Sequence, residues 1–265
     1  MKAERQRLDA LLVERGLADS RSRAQAMILA GTVRVEGEVV RKAGTRYSPE
    51  EGLDLCVERP SPFVSRAGEK LSVALDEFEV DVEGRFCMDA GASTGGFTDV
   101  LLQRGAERVI AADVGYGQLD WRLRSDERVE VMERANVRHL SGEDLPFAPD
   151  LLVSDLSFIS LAVALERLLS STPSIVEAIV LVKPQFEAGP KEVRRGGVVS
   201  DPEVREAVIS SVAESFSRFG FGARELARAA VAGRKSGNQE YVMRLLRGAE
   251  LSLDETRVRE VVRGG

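Results

Sequence analysis

Residues 86–99, read FCMDAGASTGGFTD, decide the fold of this chain. A short apolar run ends at Asp89, and three glycines follow before an apolar spacing typical of a helix: Gly91, Gly95 and Gly96. Glycine is favoured where a backbone turns sharply and where a ligand approaches the main chain closely. Free N–H groups at the start of a helix attract polar or negative ligand groups. The stretch therefore predicts a strand, a ligand-binding turn and a helix.

Apolar runs alternate with helical patterns from this stretch to residue 246. The predicted strands are 86–89, 108–113, 129–133, 151–155, 178–183 and 241–246. The predicted helices are 96–104, 160–169 and 202–219. Such alternation is typical of a parallel, doubly wound sheet with helices on both faces, so we predict an α/β fold.

The first 48 residues form a different and basic pattern. They hold 10 Lys/Arg and 6 Asp/Glu, a net charge of +4, whereas the rest of the chain carries −10. Two helical segments, with Ser20 as the predicted cap of the second, precede two short strands around a tight turn. This order predicts a small α+β domain. Its cations favour contact with nucleic-acid phosphates, the alternative being a solvated helix face. They are Arg21, Arg23, Arg34, Arg41 and Lys42.

A proline pair separates the two patterns. Residues 59–62 read RPSP, and two prolines in four residues favour a stiff, extended connector. We therefore predict an N-terminal domain over 1–59, a linker over 60–64 and a second domain over 65–265.

Polar residues end the predicted strands, at the edge where doubly wound sheets bind their ligands. These residues are Asp89, Asp113, Asp155 and Lys183. A carboxylate at the end of the second strand, here Asp113, can accept hydrogen bonds from both ribose hydroxyls of an adenosine. Both NAD and S-adenosyl-L-methionine contain that group. The spacing D-x-G-x-x-x-G-G departs from the dinucleotide pattern and favours S-adenosylmethionine, which has no pyrophosphate to bind.

Longer motifs carry a family resemblance over nearly the whole chain. RLD, SRSRA and G-x-V-x-V-x-G, within residues 6–56, resemble the RNA-binding domain first seen in ribosomal protein S-four. FVSRAGEKL, DAGASTGGFTD, AADVGYGQL, SDLSFISL, LVKPQFE, GGVV and SGNQEYV resemble the FtsJ-type ribose 2′-O-methyltransferases. Together they resemble the TlyA family of rRNA 2′-O-methyltransferases, some of which were first labelled haemolysins. The resemblance implies a Rossmann-like methyltransferase domain and structured RNA as the partner.

The same resemblance implies a set of site residues. The catalytic tetrad would be Lys70, Asp155, Lys183 and Glu240, with Lys183 as base or orienter of the attacking hydroxyl. The cofactor, S-adenosylmethionine, would bind at Asp89, Gly91, Ser93, Thr94, Gly95, Gly96, Phe97 and Asp113. Asn136 is added for its position after the third predicted strand, from which it could reach the adenine. Phe97 is interpreted either as a core residue or as a lid over the cofactor. The implied substrate is a cytidine in ribosomal RNA of the small subunit, the large subunit or both, as free RNA or in assembled subunits.

Composition narrows the remaining possibilities. Cys56 and Cys87 have no paired spacing and His139 is the lone histidine, so we expect no metal site. The N-terminus has no signal-peptide pattern, and no segment is apolar enough to span a membrane, so we expect a cytoplasmic protein without a membrane partner. Three alternative functions stay open: a membrane-active haemolysin, an RNA-binding protein with a vestigial catalytic domain, and a NAD-dependent dehydrogenase.

Overall fold

The computed structural model describes residues 5–48, 53–57, 61–189, 192–193, 197–230, 238–250 and 252–264. The chain divides into two compact units between Pro62 and Phe63. This division lies within the predicted linker, 60–64. The two units are described separately below.

The smaller unit is an α+β domain. Its elements are β1 (Gln6–Arg7), α1 (Leu8–Glu14), α2 (Arg21–Ala30), β2 (Val33–Val35), β3 (Glu38–Val39), β4 (Arg46–Tyr47) and β5 (Leu55–Val57). Strand β2 pairs antiparallel with β3 and β5, and β1 pairs with β4. The Ser20 side chain accepts a hydrogen bond from Arg23 N and caps α2, and Gly31, at φ 75°, ends that helix. The predicted helices and the tight turn are confirmed, while β1, β4 and β5 were not predicted.

The larger unit alternates strands and helices. Its strands are β6 (Phe86–Ala90), β7 (Arg108–Asp113), β8 (Val129–Glu133), β9 (Leu151–Ser154), β10 (Glu177–Val182), β11 (Phe221–Arg228) and β12 (Tyr241–Arg247). Its helices are α3 (Ala67–Glu77), α4 (Gly96–Gln103), α5 (Trp121–Arg124), α6 (Leu161–Ser171), α7 (Pro184–Glu187), α8 (Pro202–Ser217) and α9 (Glu255–Arg263). Two 3₁₀ turns, Val137–His139 and Gly142–Asp144, lie between β8 and β9.

One seven-stranded sheet organises this unit, in the order β11-β12-β10-β9-β6-β7-β8. The five strands from β10 to β8 pair in parallel, and β12 runs antiparallel to both of its neighbours. The connection from β8 to β9 crosses back over β6 and β7, so the winding direction reverses between β6 and β9. Ligands bind at such a reversal, beyond the carboxyl ends of the strands. The α/β doubly wound prediction is confirmed.

The edge strand β11 is the main feature that the sequence pattern did not reveal. Its sequence, FGARELAR, has three charged residues and a glycine, and its pairing with β12 shifts between Ala223 and Glu225. An edge strand exposes part of its surface, so it tolerates charges that break the apolar run. The bulge further disturbs the alternation of apolar and polar residues.

Two apolar cores cover the two faces of the sheet. Met88 and Ala90 of β6 pack with α6, α8 and α9 on one face, whereas Cys87 packs with α3 and α4 on the other. Both faces of the central strands are therefore buried, as expected of a parallel sheet. This packing fixes the strand ends that carry the polar residues.

Candidate active site

The glycine turn follows β6 and comes into close contact with two other segments. Gly91 and Gly95 have φ angles of 91° and 93°, which disfavour residues with a Cβ atom. A Cβ on Gly91 would lie 3.2 Å from the carbonyl oxygen of Asp155. A Cβ on Gly96 would lie 2.2 Å from Ser65 Oγ and 3.0 Å from the backbone nitrogen of Gly68. The absence of side chains here brings three parts of the unit together.

Two predicted carboxylates are held by this turn. Asp89 is fully buried, and its Oδ2 accepts hydrogen bonds from Thr98 N at 2.9 Å and Thr98 Oγ1 at 2.7 Å. Asp113 accepts hydrogen bonds from Ser93 N at 2.8 Å and Gly115 N at 2.7 Å. Burial, together with the negative charges of Asp155 and Asp113, raises the pKa of Asp89 to about 7 against the opposing effect of the Thr98 hydrogen bonds.

The four residues of the predicted tetrad form two ion pairs, with Lys70 on α3 and the other three residues adjoining the ends of β9, β10 and β12. Lys183 Nζ lies 2.5 Å from Asp155 Oδ1 and donates a hydrogen bond to Ser157 Oγ at 2.9 Å. Lys70 Nζ lies 2.5 Å from Glu240 Oε2. Lys183 and Glu240 each adjoin the last paired residues of β10 and β12, Val182 and Tyr241, so the strand register places them across from one another. All four side chains are at least four-fifths buried.

A cavity of about 170 Å³ joins the glycine turn to the Lys183–Asp155 pair. It is lined by Ser65, Ala67, Asp89, Gly91, Ala92, Ser93, Thr94, Gly96, Phe97, Asp155, Ser157 and Lys183. Phe97 both packs in the core and lines the cavity, so it forms part of the cavity wall.

The other predicted residues lie outside the cavity lining. Gly95 faces Leu119 and Leu123, and Asp113 contacts the cavity-lining residue Ser93 without lining the cavity itself. Asn136 is exposed and accepts a hydrogen bond from Arg138 N. Lys70 and Glu240 pair with each other and do not line the cavity.

Comparison with known proteins gives the family. Residues 63–247 match the family model described as FtsJ-like methyltransferase, which covers well over half of the chain. This chain belongs to the FtsJ-like methyltransferase family. Its residues 6–53 also match the S4 domain.

Individual relatives of this FtsJ-like methyltransferase extend over almost the whole chain. It is 47% identical over 241 residues to the 16S/23S rRNA (cytidine-2′-O)-methyltransferase TlyA of Mycobacterium tuberculosis, which covers 91% of this chain and 90% of the relative. It is 41% identical over 247 residues to YqxC of Bacillus subtilis, named as a candidate rRNA methyltransferase, covering 92% and 87%. A solved structure from Streptococcus thermophilus, named as a candidate hemolysin, superposes with a TM-score of 0.76 at 36% identity, covering 98% and 95%.

Two phenylalanines of this FtsJ-like methyltransferase lie beside the tetrad and were not predicted from the sequence. Phe158 is 90% exposed and has a φ of 66°, unusual for a bulky residue. Its ring lies 4.9 Å from the ring of Phe186, centroid to centroid, and Lys183 Nζ lies 6.0 Å from the latter. Both residues follow strand ends, inside SDLSFISL and LVKPQFE, and that position was the available signal. The pair presents an aromatic surface next to Lys183.

The predicted RNA-binding cations all lie in the smaller unit, which is the S4 domain of this FtsJ-like methyltransferase. Arg21, Arg23, Arg41 and Lys42 are exposed, and Arg34 is half-buried. Arg21 also contacts the buried Asp9, whose carboxylate accepts hydrogen bonds from Arg7 and Gln25. The hydrogen bond from Arg7 lowers the pKa of Asp9 well below its usual range, against the effect of burial. Asp9 thus orients cations on the surface of the domain.

The described residues contain neither a membrane-spanning helix nor a metal-binding cluster. Within the ranges given above, no helix has the length and apolar character needed to cross a membrane. The same residues contain no cluster of three or more His, Cys, Asp or Glu side chains that could hold a metal ion.

Asp89 makes the folding stability of this FtsJ-like methyltransferase, without cofactor, depend on pH. The Asp89 pKa is about 7 in the folded state and about 4 in an unfolded chain, so folding takes up a proton between these values. Its contribution to stability therefore falls as the pH rises from 4 to 7. We expect the urea midpoint of the wild type to fall relative to that of Asp89→Asn between pH 5 and pH 8. Parallel pH profiles for the two proteins would contradict this account.

Proposed function

We propose that this protein transfers the methyl group of S-adenosylmethionine to the 2′-hydroxyl of a cytidine ribose in ribosomal RNA. The charge around the cavity carries the proposal. Asp89 and Asp155 line it, and Asp113 is close enough to raise the pKa of Asp89. S-adenosylmethionine bears a sulfonium and an ammonium group against one carboxylate, so its net charge is positive, whereas the pyrophosphate of NAD is negative. Among the described residues, three acidic side chains against the single cation of Lys183 favour the cationic cofactor and disfavour the dinucleotide.

The residues present fit this cofactor. Asp89 Oδ1 is buried and accepts no hydrogen bond within the described part of the chain, so it is available to a donor group of a ligand. Gly91 and Gly96 line the cavity and present backbone rather than side chains to it. We infer that Asp89 and residues 91–97 hold the methionine portion, and that Asp113 and Asn136 lie toward the adenosine. When bound, S-adenosylmethionine supplies the methyl group.

The tetrad supplies the chemistry at the ribose. A 2′-hydroxyl is a weak nucleophile until its proton is drawn away, and the oxygen must lie in line with the methyl group. We infer that Lys183 Nζ holds the 2′-oxygen and neutralises the negative charge that develops on it, while the proton passes to the Asp155 carboxylate beside Lys183. Asp155 and Ser157 fix Lys183. Glu240 holds Lys70 beside them.

The two units have separate roles in this proposal. The N-terminal domain, 1–59, grips structured rRNA through Arg21, Arg23, Arg34, Arg41 and Lys42, chiefly by contacts to phosphates. The domain over 65–265 carries out the transfer. The substrate is the small subunit, the large subunit or both, and the Mycobacterium tuberculosis relative, named for both 16S and 23S rRNA, supports this range. We place the protein in the cytoplasm, in agreement with its free thiols, Cys56 and Cys87.

Phe158 is expected to hold the target base against its exposed ring. A base stacked on an aromatic side chain gains about 1–3 kcal/mol. We therefore expect Phe158→Ala to lower kcat/KM for rRNA by about tenfold or more, and Phe158→Tyr, which keeps the ring, to stay near the wild type. Binding of S-adenosylhomocysteine, measured by calorimetry, should not change. An unaltered kcat/KM in Phe158→Ala would show that the Phe158 ring does not hold the target base.

The proposal is tested with purified ribosomal subunits and tritiated S-adenosylmethionine. We expect tritium in rRNA, and calorimetry to detect S-adenosylmethionine binding but no NAD binding. Release of a dye from liposomes would instead support the membrane-active haemolysin. RNA binding without transfer to either subunit would support a protein whose catalytic domain is vestigial.

A further inference from the structure

The loop after β7 exposes aromatic side chains that the proposed chemistry does not use. Tyr116 is 69% exposed and Trp121 is 73% exposed, although both lie in a well-packed unit. They follow Asp113 at the carboxyl edge of the sheet, the edge that carries Lys183. Exposed aromatic residues on one short segment are unusual for a surface that contacts only water.

Hydrogen bonds from neighbouring elements hold this loop in place. Gly117 N donates to Glu133 Oε1 at 2.7 Å, and Arg134 N donates to the carbonyl oxygen of Gly115 at 3.0 Å. The helix that begins at Trp121 is tied to the glycine turn, because Asp120 N donates to the carbonyl oxygen of Thr94 at 3.2 Å. The aromatic rings are therefore carried by a fixed backbone.

One arginine of this region makes a cation–π contact with an aromatic ring. The Arg134 guanidinium lies 4.5 Å from the centre of the Tyr116 ring. The nearby Arg122 and Arg124 instead pair with Asp120 and Glu133. The described carboxylates leave Arg134 without an ion pair, so its charge is available to a phosphate.

We propose that Tyr116, Trp121 and Arg134 form a second RNA-contact surface on the catalytic unit, where unpaired rRNA bases stack beside the target nucleotide. This inference rests on the proposed function. Rings that accept bases of any sequence, together with an arginine for the backbone, are the components of single-strand binding surfaces. A lipid surface would require a broader apolar face. The S4 domain would recognise folded rRNA, and this second surface would hold the strand that enters the active site.

The inference is tested by substitution in the full-length protein with purified ribosomal subunits. We expect Tyr116→Ala, Trp121→Ala and Arg134→Glu each to raise the KM for subunits by about tenfold. Trp121→Phe should recover most of the loss, because it keeps a ring. The control is Arg218→Glu, an exposed arginine at the end of α8, which leads into the opposite edge of the sheet. We expect the control to match the wild type.

A separate measurement tells RNA contact from cofactor contact. The dissociation constant for S-adenosylhomocysteine should stay within twofold of the wild type in all three variants. Unchanged KM values in the three variants would overturn the inference, and so would a parallel loss of cofactor affinity, which would make the loop a lid over the adenosine. In both cases wild-type transfer would persist and the proposed function would stand. Absence of wild-type transfer would instead refute the proposed function.

The single tryptophan of the chain gives a second readout. Its emission reports Trp121 alone, and stacking on a base should quench it. We expect quenching when protein-free rRNA binds, with binding checked by filter retention in the same mixture, and no change with S-adenosylhomocysteine. Retained rRNA with unchanged emission would contradict the stacking of Trp121.

Discussion

Lys183→Ala should lower kcat for methyl transfer by about 10³-fold, since removal of an activating or charge-stabilising group typically costs 10²–10⁴-fold. Lys183 Nζ is the only side-chain cation that lines the cavity among the described residues, and Asp155 and Ser157 hold it there. An alanine leaves the 2′-oxygen without a partner as negative charge develops. Transfer is measured with tritiated cofactor under single-turnover conditions, so that product release does not mask the step.

The control for Lys183→Ala separates chemistry from cofactor binding. Removal of the ammonium leaves the carboxylates of Asp89 and Asp155 around the cavity, so affinity for S-adenosylhomocysteine should be kept. Ser157→Ala removes one of the two contacts to Lys183 and should have a smaller effect, about tenfold or less. A Lys183→Ala protein that transfers methyl groups at the wild-type rate would exclude Lys183 from the reaction. Loss of cofactor affinity equal to the loss of kcat would assign Lys183 to binding instead.

Glu177→Ala should lower the free energy of unfolding by about 3–5 kcal/mol, the cost of breaking a buried ion pair by removing one partner. Glu177 is 6% exposed at the amino end of β10. Its carboxylate pairs with Arg85 through one oxygen and with Arg244 Nε at 2.6 Å through the other. The substitution leaves both guanidinium groups with unsatisfied donors in a largely buried site. Urea unfolding at neutral pH measures the loss.

The matched control for this network is Glu177→Gln, which keeps an acceptor and the volume of the side chain. It should lose less stability than Glu177→Ala. Activity should persist in both variants at temperatures where they are folded, because Glu177 lies six positions before Lys183 along the strand, a distance of about 20 Å. A loss below about 1 kcal/mol for Glu177→Ala would show that Arg85 and Arg244 are satisfied by Asp150 and Glu225 alone.

Much of the fold could be predicted because its signals are local. Adjacent residues are enough to indicate the strand before Asp89, the glycine turn after it and the other apolar strands. The structure has these elements as predicted. Strand β11 was missed because its charges lie on an exposed edge and its bulge breaks the alternation. The antiparallel direction of β12 was missed because an apolar run carries no information about direction.

The site depends on contacts between distant parts of the chain. Lys70 and Glu240 are 170 positions apart, so no spacing could pair them, and only the resemblance brought them into one set. The structure joins them as one ion pair and joins Asp155 to Lys183 as another. Phe158 and Tyr116 could not be separated from core aromatics by sequence, because exposure is decided by tertiary packing. The local motifs predict the strand ends, whereas the tertiary structure determines which side chains are in contact there.

The most direct test of the account is to map the methyl group on rRNA. A 2′-O-methyl ribose blocks alkaline cleavage of the adjoining phosphodiester, because the attacking hydroxyl is lost. After incubation of purified subunits with S-adenosylmethionine and wild-type protein, we predict an alkali-resistant linkage at a cytidine, absent with Lys183→Ala. Tritium on a base, with every linkage still cleaved by alkali, would contradict the assignment of ribose chemistry to this site.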